Sequence, residues 1–460
     1  MMRSVLAGLL AAVLVLPLAA SADQAGVVKK ASIDVYAEPK FDAKKVSTLK
    51  RDAKVTVAGQ QGLWFQLQLK GGQTGFVRVN DIRVTQAVTA DGGAPTPGLT
   101  AGQAGAGRAT ETAGVRGIDE TELRVAAYNQ AELDMMTGYR VADTQATAHA
   151  ATQGWEPTKV AYENELKPKK SQPAKSSGGG GGGALSAARG LLGSFGGSSV
   201  SNNINKVDSA SSTAQRLKPK SEEQQSAEEL ALGPQIAGRA LGARKLWDDA
   251  TAQQRVNTIG RWMASQTTRP DLPWSFGIID TDEVSAFAAP GGYVLVTRGL
   301  YELLTSDAEL AAVLGHEIAH CVQRDHYKVI REQEMASTTK DIGMAEVRQE
   351  AASSEVARTQ PGSAALNFAL AYVEKHGATI LLTSLDRAAE YQADEAAEIY
   401  VARAGMNPMA FYSVLQKMAA LGSQSPKLAS LYRTHPALDD RMDRIDKRGY
   451  DALKPYTKRE

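Results

Sequence analysis

A chain that places His316, Glu317 and His320 in one short run has to deliver two imidazoles and a carboxylate side by side, and that requirement governs what can fold around it. The run from Ser306 to His326 reads S-D-A-E-L-A-A-V-L-G-H-E-I-A-H-C-V-Q-R-D-H. Ser306 followed by Glu309 predicts a helix opened by a capping box. Leu310, Val313, Leu314 and Ile318 then recur at helical spacing as a core-facing stripe. His316 and His320 stand one turn apart, and side chains at i and i+4 share a helix face. Both rings can therefore reach a single zinc ion, with Glu317 projecting to where an attacking water would lie. Taken alone, the pattern also fits an ordinary polar helix face, so the rest of the chain has to decide.

Composition removes several classes of function. The 460 residues suffice for two or three domains with a large buried core. Lys and Arg number 52 against 51 Asp and Glu, so a net charge of +1 gives no electrostatic case for a nucleic-acid partner. Arg3, the apolar run Val5 to Leu18 and the small residues Ala20-Ser21-Ala22 predict a secretory signal peptide over 1–22. The apolar run is short of the ~20 residues a spanning helix needs, so no transmembrane segment is expected in the mature chain. The expected destination is the periplasm. Cys321 is the only cysteine, which excludes an intramolecular disulfide, and no cysteine near the cleavage site can carry a lipid anchor. It lies ~100° around the helix from His320, where packing is expected rather than ligation.

Residues 23–86 read as short alternating strands with turn punctuation, which predicts a small all-β barrel. The strand ending at Tyr36-Ala37-Glu38-Pro39, the Trp64 strand and the closing Gly75-Phe76-Val77 resemble a bacterial Src-homology-3-like domain. That resemblance implies a peptide, envelope-protein or cell-wall partner; Trp64 and Tyr36 line a groove on one reading and fill the core on the other. Residues 87–229 read as a long disordered linker with a helical segment at about 118–140 and a Gly/Ser-rich tether at 171–213 that includes six consecutive glycines. A second domain is expected over 230–460. Within it Val256, Ile259 and Met263 predict a helix, and Trp274 to Ile279 a strand. A further strand follows Pro290-Gly291-Gly292. Its residues Tyr293, Val294, Leu295, Val296 and Thr297 are expected to offer free backbone groups to an extended substrate.

Ala286-Phe287, Pro290-Gly291-Gly292, Thr297-Arg298-Gly299-Leu300, Glu309-Leu310-Ala311 and His316-Glu317-Ile318-Ala319-His320 together closely resemble the zinc metallopeptidases related to HtpX, BepA and the CAAX prenyl endopeptidase. The likeness runs from about Leu230 to Arg448. It implies a mainly α (α+β) zincin-type domain holding one zinc ion per chain. In that family the third ligand is a Glu in a pattern like E-x-x-x-D, matched here by Glu390 and Asp394. The resemblance thus implies His316, His320 and Glu390 as ligands, Asp394 as the carboxylate orienting a ligating His, and Glu317 as general base. Thr434-His435-Pro436 with Arg441 matches a His-Pro pair that faces the site in the family, so His435 is implied as oxyanion donor or latent-state ligand.

Three departures accompany the match. Ser285 stands where the family usually has Asn, and Arg324-Asp325-His326 replaces a plain Arg-His; neither is expected to touch the chemistry. Sixty-nine residues separate His320 from Glu390. This insertion reads as a lid, with a polar helix to Glu355, a turn at Thr359 to Ser363 and an apolar stretch from Leu366 to Leu385. Glu395 and Glu398 are expected to be solvated. The implied function is hydrolysis of peptide bonds in unfolded or misassembled envelope proteins. A chaperone-like binding protein with a latent zinc site, and a cell-wall hydrolase recruited by the barrel, are the alternatives.

Overall fold

The computed structural model describes residues 23–87, 119–166, 220–345 and 361–459, in two compact units divided near residue 100. The signal peptide, the Gly/Ser tether and residues 346–360 of the expected lid lie outside the described residues.

The first unit is a seven-stranded antiparallel sheet. Its strands are β1 (Gln24–Val28), β2 (Ser32–Tyr36), β3 (Lys45–Lys50), β4 (Lys54–Gln61), β5 (Trp64–Gln68), β6 (Thr74–Arg78) and β7 (Ile82–Ala87), in the order β3-β2-β6-β5-β4-β1-β7. The expected closed barrel does not form: β2 meets β6 only at Tyr36 and Phe76, and β3 and β7 remain as edges. β3 has Lys45 and Lys50 at its ends and exposes half of its residues or more, features that keep a strand at an edge. Val28, Val35, Leu67, Val77 and Ile82 are fully buried. Trp64 joins them, with the Tyr36 and Phe41 rings edge-on to it at 5.7 and 5.0 Å.

The second unit is mainly helical around a three-stranded sheet of β8 (Ser275–Ile279), β10 (Tyr293–Thr297) and β9 (Ala286–Ala289), in that order. β10 runs parallel to β8 and antiparallel to β9. The β9–β10 turn takes positive φ at Gly291 and Gly292, 77° and 91°, which glycine adopts without a steric penalty. The far edge of β8 is already sealed. Gln253 and Asn257, buried on helix α5 (Ala250–Ser265), turn their side-chain amides to the backbone of Ile278 and Phe276 at 2.7 to 3.2 Å. Among the described residues, β9 is therefore the edge of this sheet whose outer side pairs with no other strand and no side-chain amide.

Part of the expected linker is not linker. Helices α1 (Glu120–Val125), α2 (Gln130–Gly138) and α3 (Asp143–Thr152) belong to the second unit. Leu123, Leu133 and Met136 enter one core with Leu232, Ile236 and Leu241 of α4 (Glu222–Ala243). Order resumes by residue 220 rather than near Leu230, and Ser221 caps α4 by accepting from Gln224 N. Among the described residues, no helix is long and apolar enough to cross a membrane.

Candidate metal centre

Two helices carry the centre, and both have anchored ends. Helix α7 (Asp307–Gln323) follows the short α6 (Arg298–Leu303) and begins as predicted with Ser306 accepting from Glu309 N. The reciprocal half of the capping box is displaced by one residue: the Glu309 carboxylate accepts from Thr305 N at 2.8 Å. It also accepts from Ser413 Oγ and Lys417 Nζ, which satisfies a carboxylate only 1% exposed. At the other end Arg324 takes a left-handed φ of 61°, and Arg269 donates to the terminal Cys321 carbonyl at 2.8 Å. Both arginines also meet the buried Glu229 carboxylate. Cys321 itself is a buried free thiol, as the packing expectation requires.

Beyond α8 (Asp325–Ala345) and α9 (Pro361–His376), helix α10 (Arg387–Arg403) packs on α7. The expected turn at 359–363 is corrected in its second half, since Pro361 opens α9, a position where its missing N–H costs nothing. Gly315 lets α7 and α10 approach: a Cβ there would lie 3.3 Å from Ala397 Cα and 3.1 Å from Met263 Cε.

The approach brings His316, His320, Glu390 and His435 together, with one ligand atom of each within 4.8 Å of the others. Glu390 Oε2 is 3.6 Å from His316 Nε2 and from His435 Nε2, and Glu390 Oε1 is 3.7 Å from His320 Nε2. The outer ring nitrogens are occupied. His316 Nδ1 lies 3.0 Å from Asp394 Oδ1, and His320 Nδ1 lies 3.0 Å from Asp325 Oδ2. With each Nδ1 facing a carboxylate, both Nε2 atoms turn inward, 3.2 Å apart.

Such an arrangement calls for a cation. Burial opposes a charged His316, yet Asp394 and Glu390 outweigh it and hold the ring up at about 9. Burial also opposes ionised Glu390 and Asp394, but His435 and His316 keep Glu390 well below the usual carboxylate range, and Arg441 with His316 holds Asp394 at about 2. Burial pushes Glu317 up and takes His435 down to about 3. Glu390 Oε2 is buried with no hydrogen-bond partner, an unmet acceptor that a metal would satisfy. The donor set of imidazole nitrogens and a carboxylate suits zinc chemistry.

Arg441, on α13 (Leu438–Arg448), clamps Asp394 through Nε at 3.0 Å and Nη2 at 2.6 Å. Glu317, 4% exposed, lines a small pocket with His320, Glu390 and His435. Phe287 of β9, with Leu381 and Leu385 from the end of the insertion, forms its apolar wall.

Several expectations are corrected here. Tyr293, Val294, Leu295, Val296 and Thr297 form the central strand β10, hydrogen-bonded on both sides, so they have no free edge for a substrate; β9 lies against the pocket instead. Asp325 does touch the centre, through His320, because the left-handed turn at Arg324 swings the next residue back toward the helix it ends. Its signal was a carboxylate directly after the end of the histidine helix. His326, given no role by the sequence, is buried and lines the pocket beside His320. Glu398 is fully buried and paired with Arg448 rather than solvated. Ser285 is held by reciprocal bonds between its backbone and Thr297 Oγ1, at 3.0 and 2.8 Å.

Comparison with known proteins adds the lineage. The model of peptidase family M48 matches residues 250–449, and that of the bacterial SH3 domain matches residues 31–82. A beta-barrel assembly-enhancing protease of Yersinia pestis is 28% identical over 229 residues, 50% of this chain and 45% of that protein. A protease HtpX homolog of Campylobacter curvus is 30% identical over 176 residues, 34% of this chain and 60% of that protein. The mitochondrial metalloendopeptidase OMA1 of Schizosaccharomyces pombe is 29% identical over 176 residues, 38% of this chain and 47% of that protein. The chain thus spans about half the length of the curated relatives it matches. Both histidines, Glu390, Asp394 and Arg441 fall inside the matched segment, and the chain joins a peptidase family M48 domain to an N-terminal bacterial SH3 domain.

Proposed function

We propose that this chain is a zinc-dependent endopeptidase, exported to the periplasm, that hydrolyses peptide bonds of unfolded or misassembled envelope proteins. The observation that carries the reading is the pair of inward Nε2 atoms beside the unpartnered Glu390 Oε2. Envelope proteins are inferred as substrates from the relatives named for assisting β-barrel assembly. His316, His320 and Glu390 hold the metal, and Asp394 and Asp325 orient the two rings. A zinc ion held there supplies a Lewis acid that polarises the scissile carbonyl and makes water acidic enough, at a pKa of ~7, to attack near neutral pH. Glu317 takes the proton of the attacking water on its carboxylate and passes it to the leaving amine.

The substrate runs extended along β9, the strand of this sheet whose outer side, among the described residues, no other strand or side-chain amide pairs. Leu381, Leu385 and Phe287 favour an apolar side chain beside the scissile bond. His435, its Nε2 3.6 Å from Glu390 Oε2, would serve either as a further nitrogen ligand that keeps the site latent or as a hydrogen-bond donor to the substrate oxyanion.

The test is cleavage of casein by the purified chain, stripped with a chelator and then reloaded. Activity is expected to vanish on stripping and to return with one equivalent of zinc. Persistent cleavage by stripped protein would sink the reading, and release of muropeptides from purified sacculi without casein cleavage would replace it with a cell-wall hydrolase.

Asp325→Asn is expected to weaken zinc binding by ~10–100-fold, since the amide cannot hold His320 as a carboxylate does. Competition against a chromophoric chelator measures this directly; an unchanged affinity would remove Asp325 from the site.

A further inference from the structure

Behind the metal centre a second cleft opens between α10 and α13, with a volume of 310 Å³. Arg441 and Asp394 form its floor, and Arg444, Lys447 and Arg448 line its mouth. Their charges are unevenly matched. Arg441 is satisfied by Asp394, and Arg448 by Glu395 and the buried Glu398. Arg444 and Lys447 make no ion pair among the described residues. Arg444 instead lies over the Tyr391 ring, its guanidinium 4.6 Å from the centroid, which fixes it at the rim while leaving its donors free. The aspartates of the same helix do not line the cleft, and Asp446 accepts from Tyr412 outside it.

Two unpaired cations at the mouth of a concave site set the ligand's charge. A carboxylate would leave one of them unmatched, whereas a phosphoryl group carries about −1.5 to −2 at neutral pH and offers three acceptor oxygens to the arginine fork and the ammonium. We propose that this cleft binds a phosphoryl anion through Arg444 and Lys447, the cations at its mouth. The chemistry is that of free phosphate or of a phospholipid headgroup. The anion site stands on residues outside the metal cluster.

Calorimetric titration of inorganic phosphate into the full-length protein, zinc-loaded and chelator-stripped, is the test. Saturable binding of equal affinity is expected in both forms. It should weaken by ~10-fold or more in Arg444→Ala/Lys447→Ala and stay within a few-fold of wild type in Arg444→Lys. Both side chains are exposed, so thermal midpoints should match wild type. In a parallel arm, phosphatidylglycerol vesicles are sedimented with each protein. Vesicle binding that needs Arg444 and Lys447, without binding of free phosphate, assigns the headgroup as source, and the converse assigns a soluble phosphate. The proposal is overturned if either probe binds the double variant as it binds wild type, if neither probe binds, or if phosphate binds only the zinc-loaded form, which would place it on the metal.

Discussion

Glu317→Gln is expected to lower casein cleavage by ~10²–10⁴-fold, the usual contribution of a positioned general base, while zinc content and thermal midpoint stay as in wild type. Glu317 follows His316 on α7 but is not part of the four-residue cluster, so changing it leaves every proposed ligand in place. It nevertheless lines the same pocket as His320 and Glu390. Its carboxyl is pushed up by burial and pulled back by His316 and His320, a balance suited to a group that must both take and return a proton. Glutamine keeps the shape and one acceptor oxygen but cannot take the proton. The joint readout separates a base from a structural carboxylate: lost rate with zinc retained identifies the base, whereas wild-type cleavage by a zinc-loaded variant removes Glu317 from the chemistry. The trapped variant also provides the route to substrates, since envelope proteins retained by it can be identified by mass spectrometry.

The residues of the centre were legible because their spacing is local or carried by a motif. His316 and His320 are one turn apart, and Glu390 and Asp394 repeat that spacing on α10, so one face of each helix could be assigned from sequence. What sequence did not reveal depends on pairing across distance. The choice of β9 over β10 as the edge strand follows from β10 being flanked on both sides, and nothing in Y-V-L-V-T distinguishes a central strand from an edge. Sealing of β8 by Gln253 and Asn257 is equally silent, because two amides on a helix read as polar surface. Asp325 was passed over because its reach to His320 depends on a left-handed residue that is arginine rather than glycine. The helices at 120–152 were underestimated because their buried positions are partly alanine, whose spacing gives weak periodicity: Ala126, Ala146 and Ala150. The open sheet of the first unit was missed since alternation predicts strands and faces but not whether the last strand meets the first.

Arg441→Met is expected to cost ~3–5 kcal/mol of unfolding free energy, because it strips the partner from a buried carboxylate. Arg441 is 2% exposed and Asp394 3%, and the two are joined by a two-point contact. Desolvation has already been met for both charges, so removing one leaves its cost uncompensated. Methionine fills part of the volume beside the Phe411 ring, over which the guanidinium now lies at 5.5 Å, which limits the cavity contribution. Asp394 can escape part of the penalty by taking up a proton, since Arg441 is the strongest influence holding its carboxyl low against burial. That escape has its own consequence: a neutral Asp394 orients His316 less firmly, and zinc affinity should fall by ~10–100-fold. Arg441→Lys preserves the charge but not the two-point geometry, so it should recover much of the stability and less of the affinity. Denaturant unfolding of the stripped proteins and zinc competition of the loaded ones measure the two effects separately. If Arg441→Met unfolds at the wild-type midpoint and binds zinc as tightly, the Arg441–Asp394 pair neither supports the fold nor positions His316, and Asp394 loses its assignment.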